Sequence, residues 1–355
     1  MRDYGREDTD KLLADMERKL RKEYEQAAKE TQAKLDDYFR RYRIKDEIWQ
    51  RNVAAGKRTQ QEWNQWRVGQ MMVGQRWEDM RETLAEDYHN ANVIARSIVN
   101  GYMPDVYAVN MNYSTFEVEK AAGLNTNFTL YNHDTVEWMM RENPDLLPPP
   151  GKNMLSRIAA GKDIAWQEGQ IQSVTLQSIL QGESIPHMAA RIANTMGESN
   201  HKSSLRYART ATTYAENAGR DAAYHRMAEH GCNMQREWRA VWDGRTRYEH
   251  RQLDGQVRDL DEPFEVGGIE IMEPGDPTAP GYMIWNCRCK TSSRIKGLEP
   301  QARKYRDNTI EGKSYDEWKN ERKSRSDPIT KQEEIGERMR RSYTRELYGE
   351  THKRR

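Results

Sequence analysis

The spacing of apolar residues changes once along this chain, near Gly231, and that change limits the fold more than any other feature. Upstream, apolar side chains recur at intervals of three and four. Over residues 9–42, Leu12, Leu13, Met16, Leu20, Tyr24, Leu35, Tyr38 and Phe39 form one stripe of a helix whose other face is charged. "TQQE" at 59–62 has the form of a capping box, because Thr59 can cap while Glu62 reaches back. It opens a second long helix carrying Trp63, Trp66, Trp77, Met80, Leu84, Tyr88, Ile94 and Ile98, expected to stop near Asn100 and Gly101. Gly69 and Gly74 are expected to kink or divide it. "GYMPDVYAVNMNYS" reads as a loop or short extended piece, after which Ser114 and Glu117 suggest a capped helix reaching Gly123. A short helix before Pro144 leads to a stiff proline linker, with a subdomain boundary at 148–151. Three more helices are expected, over 163–180, over "PHMAARIANTM" and over 202–229.

Downstream of Gly231 the period is two. "REWRAVW", "QVRDL", "PFEVGGIEIM" and "CRCKTSSRI" are short alternating runs bounded by Gly, Pro and Asp. Asp254 with Gly255, and Gly267 with Gly268, are hairpin turn signals. The expected fold is therefore mainly α with a small α+β domain. Its parts are elongated N-terminal helices (1–150), a central helical region (151–231), a compact antiparallel β unit (232–296) and a helical or flexible basic tail (297–355).

Composition narrows the function classes. Only four of the 355 residues are Phe, against 18 Tyr, 10 Trp and 17 Met, so apolar surface comes from side chains suited to wet, irregular interfaces. A net charge of +1 with 32% charged residues indicates no nucleic-acid partner for the chain as a whole. From residue 291 onward, however, 18 basic residues face 12 acidic ones. Arg338, Arg340, Arg341, Arg345, Lys353, Arg354 and Arg355 are candidates for contact with DNA phosphates. No apolar run could span a bilayer, and "MRDYGREDTD" predicts no secretory signal. Three cysteines in a chain this long argue for a reducing compartment rather than a disulfide scaffold.

The chemistry centres on "DGRTRYEHRQLDGQV" and "NCRCK". Cys287, Cys289 and His250 are good ligands for zinc, but a structural site needs a fourth, for which Cys232, Asp243 and Asp254 are the available candidates. The competing reading makes His250 a hydrogen-bonded surface residue and the cysteines small buried fillers. Asp243, Glu249, His250 and Asp254 could instead bind a divalent ion or act as acid and base in phosphodiester hydrolysis. They are equally well explained as turn-formers, and the nucleotide-binding, serine-hydrolase and HExxH fingerprints are all missing from the sequence. A structural clasp accounts for "DGRTR" best: Asp243 accepts from turn amides while Arg245 or Arg247 pairs with carboxylates across the sheet.

Several of these pieces in order resemble the phage head-morphogenesis family, minor capsid proteins often called MuF-like. The matching positions are Arg209, Thr210, Asn217, Gly219 and Arg220 on a helix, then Trp238, Asp243, Arg245, Thr246, Arg247 and His250. Leu253, Asp254, Gly255 and Gln256 follow, and Asn286, Cys287, Arg288 and Cys289 close the array. The resemblance covers residues 200–296, with "SYDEW" at 314–318 as a further similar piece. Where many relatives carry Cys-x-x-Cys and a later His, this chain has Arg247, His250 and Ile284. That departure leaves no cofactor implied by the family, with zinc an open possibility. The resemblance implies a non-enzymatic minor head protein inside the capsid near the portal vertex, made in the host cytoplasm. Its implied partners are the portal protein, the major capsid or scaffold protein and packaged DNA, with roles in assembly, packaging or ejection and no membrane. The alternative is a metal-dependent nuclease or hydrolase acting through His250 and nearby acids.

Overall fold

The structure, a computed structural model, describes residues 3–142, 154–297 and 313–325. In chain order the helices α1 (Tyr4–Arg40), α2 (Arg43–Ala54), α3 (Gln60–Met71), α4 (Gln75–Ala122), α5 (His133–Glu142), α6 (Met154–Ala159), α7 (Asp163–Leu180) and α8 (Ile185–Glu229) come first. Then follow β1 (Met234–Arg239), α9 (Tyr248–Leu253), β2 (Val257–Asp259), β3 (Phe264–Val266), β4 (Ile269–Ile271), α10 (Gly281–Ile284), β5 (Lys290–Ile295) and α11 (Tyr315–Arg325). The chain is thus a helical protein with a small antiparallel β region, as the change of period requires. No helix among the described residues is long and apolar enough to cross a membrane.

Two compact units are formed by interleaved segments. Of the described residues, those within Met1–Leu13, Tyr102–Pro149 and Thr210–Arg355 form one, and those within Ala14–Gly101 and Pro150–Arg209 the other. The helices α1, α4 and α8 contribute to both.

The second unit is held by an apolar stripe and by a buried polar network. Met16, Leu20, Leu35, Phe39, Leu84, Tyr88, Ile171 and Ile192 are fully buried. Asn92 accepts from the Tyr24 hydroxyl at 2.7 Å and donates to Asp163 at 3.0 Å. In α2 and α3, Asp46 takes a two-pronged bond from Arg67 at 2.7 and 2.8 Å and a third from the Trp63 indole at 2.9 Å. The capping box at Thr59 and Glu62 forms as expected, and the chain breaks between α3 and α4 at Gly74, whose φ of +91° suits only glycine.

Two expected breaks do not occur. Residues 101–114, read as a loop, lie inside α4. Pro104 forfeits an amide hydrogen bond and crowds the preceding turn, together a cost of about 3 kcal/mol in an exposed helix interior. Met103, Val106, Tyr107, Met111 and Tyr113 are each at most 3% exposed, and burying each contributes about 1.5–3 kcal/mol, so packing wins. Ser114 is therefore buried mid-helix rather than capping a new one. The expected gap between "PHMAARIANTM" and residue 202 is likewise helical. There Asn200 exchanges hydrogen bonds with Gln167 at 2.8 and 3.1 Å, and Ser204 lies 2.5 Å from the Tyr24 hydroxyl. This helix face is packed through amides and hydroxyls, which apolar periodicity does not register.

In the first unit, β1 is the central strand of a three-stranded antiparallel sheet of order β2-β1-β5. Trp238 pairs with Thr291 across β1 and β5, and Arg236 with Arg258 across β1 and β2. The strands β3 and β4 form a separate hairpin through Gly267 and Gly268, both at positive φ, as their spacing predicts. Asp254 and Gly255 do not make a hairpin between paired strands. They turn α9 into β2, and Gly255 has φ +80°. The core of this region is Trp238, Leu253, Phe264, Ile271, Met283, Ile284, Cys287 and Cys289.

A candidate cysteine–histidine site and its clasp

The last third of α8 presents a docking face for the segment that carries both cysteines. Thr213 donates to the Cys287 carbonyl at 2.5 Å, and Asn217 donates to the Cys289 carbonyl at 3.3 Å. The same Asn217 side chain accepts from the Thr291 amide at 2.8 Å, which starts β5 in register. Thr210 accepts from the Asn286 amide at 3.3 Å. Asn286 has φ +52°, a left-handed conformation that asparagine tolerates better than other side-chain-bearing residues. On the opposite side of α8, Gly219 lies against α4: a Cβ there would stand 2.4 Å from the Tyr107 carbonyl oxygen. Arg220 is buried and paired with Asp3 and Glu216. Burial would raise the Asp3 carboxyl, but Arg220 and Lys290 hold it down to about 2.

Cys287 and Cys289 reach into the core beside His250, which α9 supplies. The imidazole Nδ1 lies 3.3 Å from Cys289 Sγ and 3.6 Å from Cys287 Sγ, and the Cys289 amide donates to Cys287 Sγ at 3.4 Å. All three residues are 2–3% exposed. His250 is therefore a core residue, not the surface residue of the competing sequence reading. Its ring stands edge-on to Trp238 at 5.8 Å, and its buried Nε2 has no hydrogen-bond partner among the described residues. A hydrogen bond from Cys287, together with His250, holds the Cys289 thiol down to about 5. The hydrogen bond to Cys289 and burial push Cys287 up.

Outside this pocket lies the clasp. Asp243 accepts the Arg245 amide at 2.9 Å, closing the turn as the sequence predicts. Arg245 or Arg247 was expected to pair with carboxylates across the sheet, but the arginine that does so is Arg288, which meets Asp243 at 2.5 and 2.8 Å. Arg245 is 80% exposed and 3.5 Å from Asp243, while Arg247 donates to the Trp285 carbonyl. The reason lies in burial along 287–292, which alternates so that Arg288 points out between two inward cysteines. Arg288, and then the Arg245 amide, hold the Asp243 carboxyl well below the usual carboxylate range. Asp254 latches the loop after β1 by accepting from the Ala240 amide at 2.8 Å and the Trp242 indole at 2.6 Å. Thr246 donates to the Val241 carbonyl within the same turn. Asp243 and Asp254 are thus engaged elsewhere, and among the described residues neither they nor Cys232 join His250, Cys287 and Cys289 as a ligand group.

Other motif positions have separate structural tasks. Arg209 pairs with Glu17 at 2.7 Å in the second unit, and Gly255, Leu253 and Gln256 shape the turn into β2. The "SYDEW" piece opens α11, where Trp318 and Arg322 both donate to the buried Glu119 of α4, at 2.7 and 2.8 Å. Glu119 and Thr213 were not singled out from sequence. Thr213 lies one helical turn before Asn217, a spacing that could have revealed it. His133, Asp134 and Glu137 form a second, partly exposed group of potential ligands. The DNA-contact candidates Arg338, Arg340, Arg341, Arg345, Lys353, Arg354 and Arg355, and the boundary at 148–151, lie outside the described residues.

Comparison with known proteins places this region in context. The family model described as Phage Mu protein F like protein matches residues 169–292, which include α8, the clasp and both cysteines. The chain is 26% identical over 327 residues to Minor head protein GP7 of Bacillus phage SPP1, covering 89% of this chain and 95% of that protein. It is also 28% identical over 205 residues to NAD(+)--arginine ADP-ribosyltransferase EFV of Enterococcus faecalis, covering 57% of this chain. The chain spans only 40% of the length of that relative. No solved structure matches.

Proposed function

We propose that this chain, which belongs to the phage head-morphogenesis family of MuF-like proteins, is a non-enzymatic minor head protein positioned at the portal vertex. The observation that carries the reading is the near end-to-end likeness to a minor head protein, 89% of one chain against 95% of the other. On this reading the chain binds the portal protein and the major capsid or scaffold protein during assembly, inside the capsid. Its basic tail meets packaged DNA during packaging or ejection.

The arrangement of His250 supports a structural role over hydrolysis. A general acid or base must reach its substrate, and this imidazole is 2% exposed and engaged by two sulfurs. Asp243 and Asp254, its proposed acidic helpers, are bound to Arg288 and to the Ala240 and Trp242 N–H groups. The transferase name of the Enterococcus relative belongs to a protein of which this chain covers 40%, and it carries no argument for the same activity here.

Quantitative mass spectrometry of purified phage particles, with co-purification of the full chain on portal rings, tests the proposal. Detection at a few copies per particle and retention on the rings are expected. Absence from particles, or passage through the ring column, would overturn the portal-vertex role. Turnover of DNA or NAD⁺ by the wild-type chain, lost in His250→Ala, would overturn the non-enzymatic one.

A further inference from the structure

We infer that His250, Cys287 and Cys289 form a binding site for a single zinc ion in the β-rich region. The argument begins with distances. Zinc bonds of roughly 2.3 Å to sulfur and 2.0–2.1 Å to nitrogen, set tetrahedrally, require nitrogen–sulfur edges of about 3.5 Å. The two edges from His250 Nδ1 are 3.3 and 3.6 Å, and the three ligand atoms lie within 4.8 Å of one another. An ion can occupy that triangle without moving the backbone.

The site is also held in place before any ion arrives. Thr213 and Asn217 fix the carbonyls of both cysteines from α8, and Asn286 turns the chain so that both sulfurs face inward. Ligands whose own backbone is restrained need little reorganisation on binding. The donor set selects the metal class. Two sulfurs and an imidazole, with no oxygen donor among them, suit a soft tetrahedral ion and not magnesium or calcium. Charge balance agrees: two thiolates and a neutral imidazole exactly offset a divalent cation, so the occupied site enters the apolar core without net charge. On binding, each thiol bonds to the metal through its sulfur and gives its proton to solvent. Among the described residues no fourth His, Cys, Asp or Glu joins the group.

The inference does not depend on where the protein sits in the particle. Elemental analysis of the full chain, purified from cells supplied with zinc, should find a single zinc ion per chain. Cobalt(II) reconstitution should give a sulfur-to-metal charge-transfer band, lost in Cys287→Ser and Cys289→Ser and retained in Cys232→Ser. His250→Cys keeps a soft ligand and should strengthen the band, a readout independent of whether the serine variants fold. Wild-type protein with only trace zinc and no cobalt band would overturn the assignment. So would full metal binding by the Cys287→Ser/Cys289→Ser double variant, which would move the ion to another group such as His133, Asp134 and Glu137.

Discussion

Arg288 and Asp243, far apart in sequence, form a two-pronged ion pair at 2.5 and 2.8 Å. It ties the turn after β1 to the segment that carries both buried cysteines. Each side chain is about one-third exposed, so the pair acts mainly by fixing geometry. Arg288→Ala should lower the thermal midpoint by a few degrees and speed proteolysis near residue 243. Arg288→Lys should restore only part of this, because an ammonium cannot present the planar fork. Arg245→Ala should leave the midpoint unchanged. Equal losses in the Arg245 and Arg288 variants would remove Arg288 as the clasp.

Gly219 makes a sharper prediction. A methyl group at this position would overlap the Tyr107 carbonyl oxygen, an atom of helix backbone that cannot turn aside. Gly219→Ala should therefore destabilise the unit by about 1–3 kcal/mol or more, against the usual gain from replacing a helical glycine. Gly244→Ala, with no atom of the described residues within 4 Å of the new carbon, is the control. Chemical denaturation reads both, and a neutral Gly219→Ala would contradict the close approach of α8 to α4.

Glu119 is fully buried and serves the Trp318 indole and the Arg322 guanidinium together. Removing it takes a carboxylate from the buried Arg322 guanidinium, which also donates to Asn125 at 3.1 Å, so Glu119→Ala should cost about 3–5 kcal/mol. Hydrogen exchange should show α11 losing protection before the rest of its unit. Uniform loss of protection across the unit would show that α11 is not anchored through this carboxylate.

His225 sets a pH dependence. The Asp221 carboxylate, assisted by Asp261, raises the imidazole from its ordinary 6.5 to about 9. A folded-state value above the unfolded one makes the protonated histidine stabilising. That contribution is complete below pH 6.5 and is lost as pH climbs through about 9. Thermal melts should therefore separate wild type from His225→Gln at pH 6 and converge above about pH 10. A gap that persists or widens at high pH would reverse the sign of the effect.

The helical stripe of α1, the glycine break before α4, the β3–β4 hairpin and the placing of the cysteine-bearing segment beside a strand were all legible in the residue pattern. These features are local: each rests on spacing within a few residues. The continuity of α4 through Pro104 was not legible, because it depends on burial of Tyr107 and Met111 against segments distant in sequence. Nor was the continuity of α8, where Asn200 and Ser204 pack as polar residues. At the candidate site, the triad of His250, Cys287 and Cys289 was readable as a set. The burial of His250 was not, since nothing in "YEHRQL" marks which face of so short a helix turns inward. Arg245 or Arg247 was expected to pair with carboxylates across the sheet, but the cation that reaches Asp243 across the fold is Arg288, which the alternation at 287–289 turns outward.

That run also bears on which changes the protein can survive. Cys-Arg-Cys faces two environments at once, sulfur to the interior and guanidinium to the rim, and only the parity of the positions keeps them apart. Exchanging one side chain disturbs one face. Inserting or deleting a single residue between Asn286 and Thr291 would turn the segment over, driving the cation inward and the sulfurs into water. The stretch is therefore far stricter about its length than about its spelling.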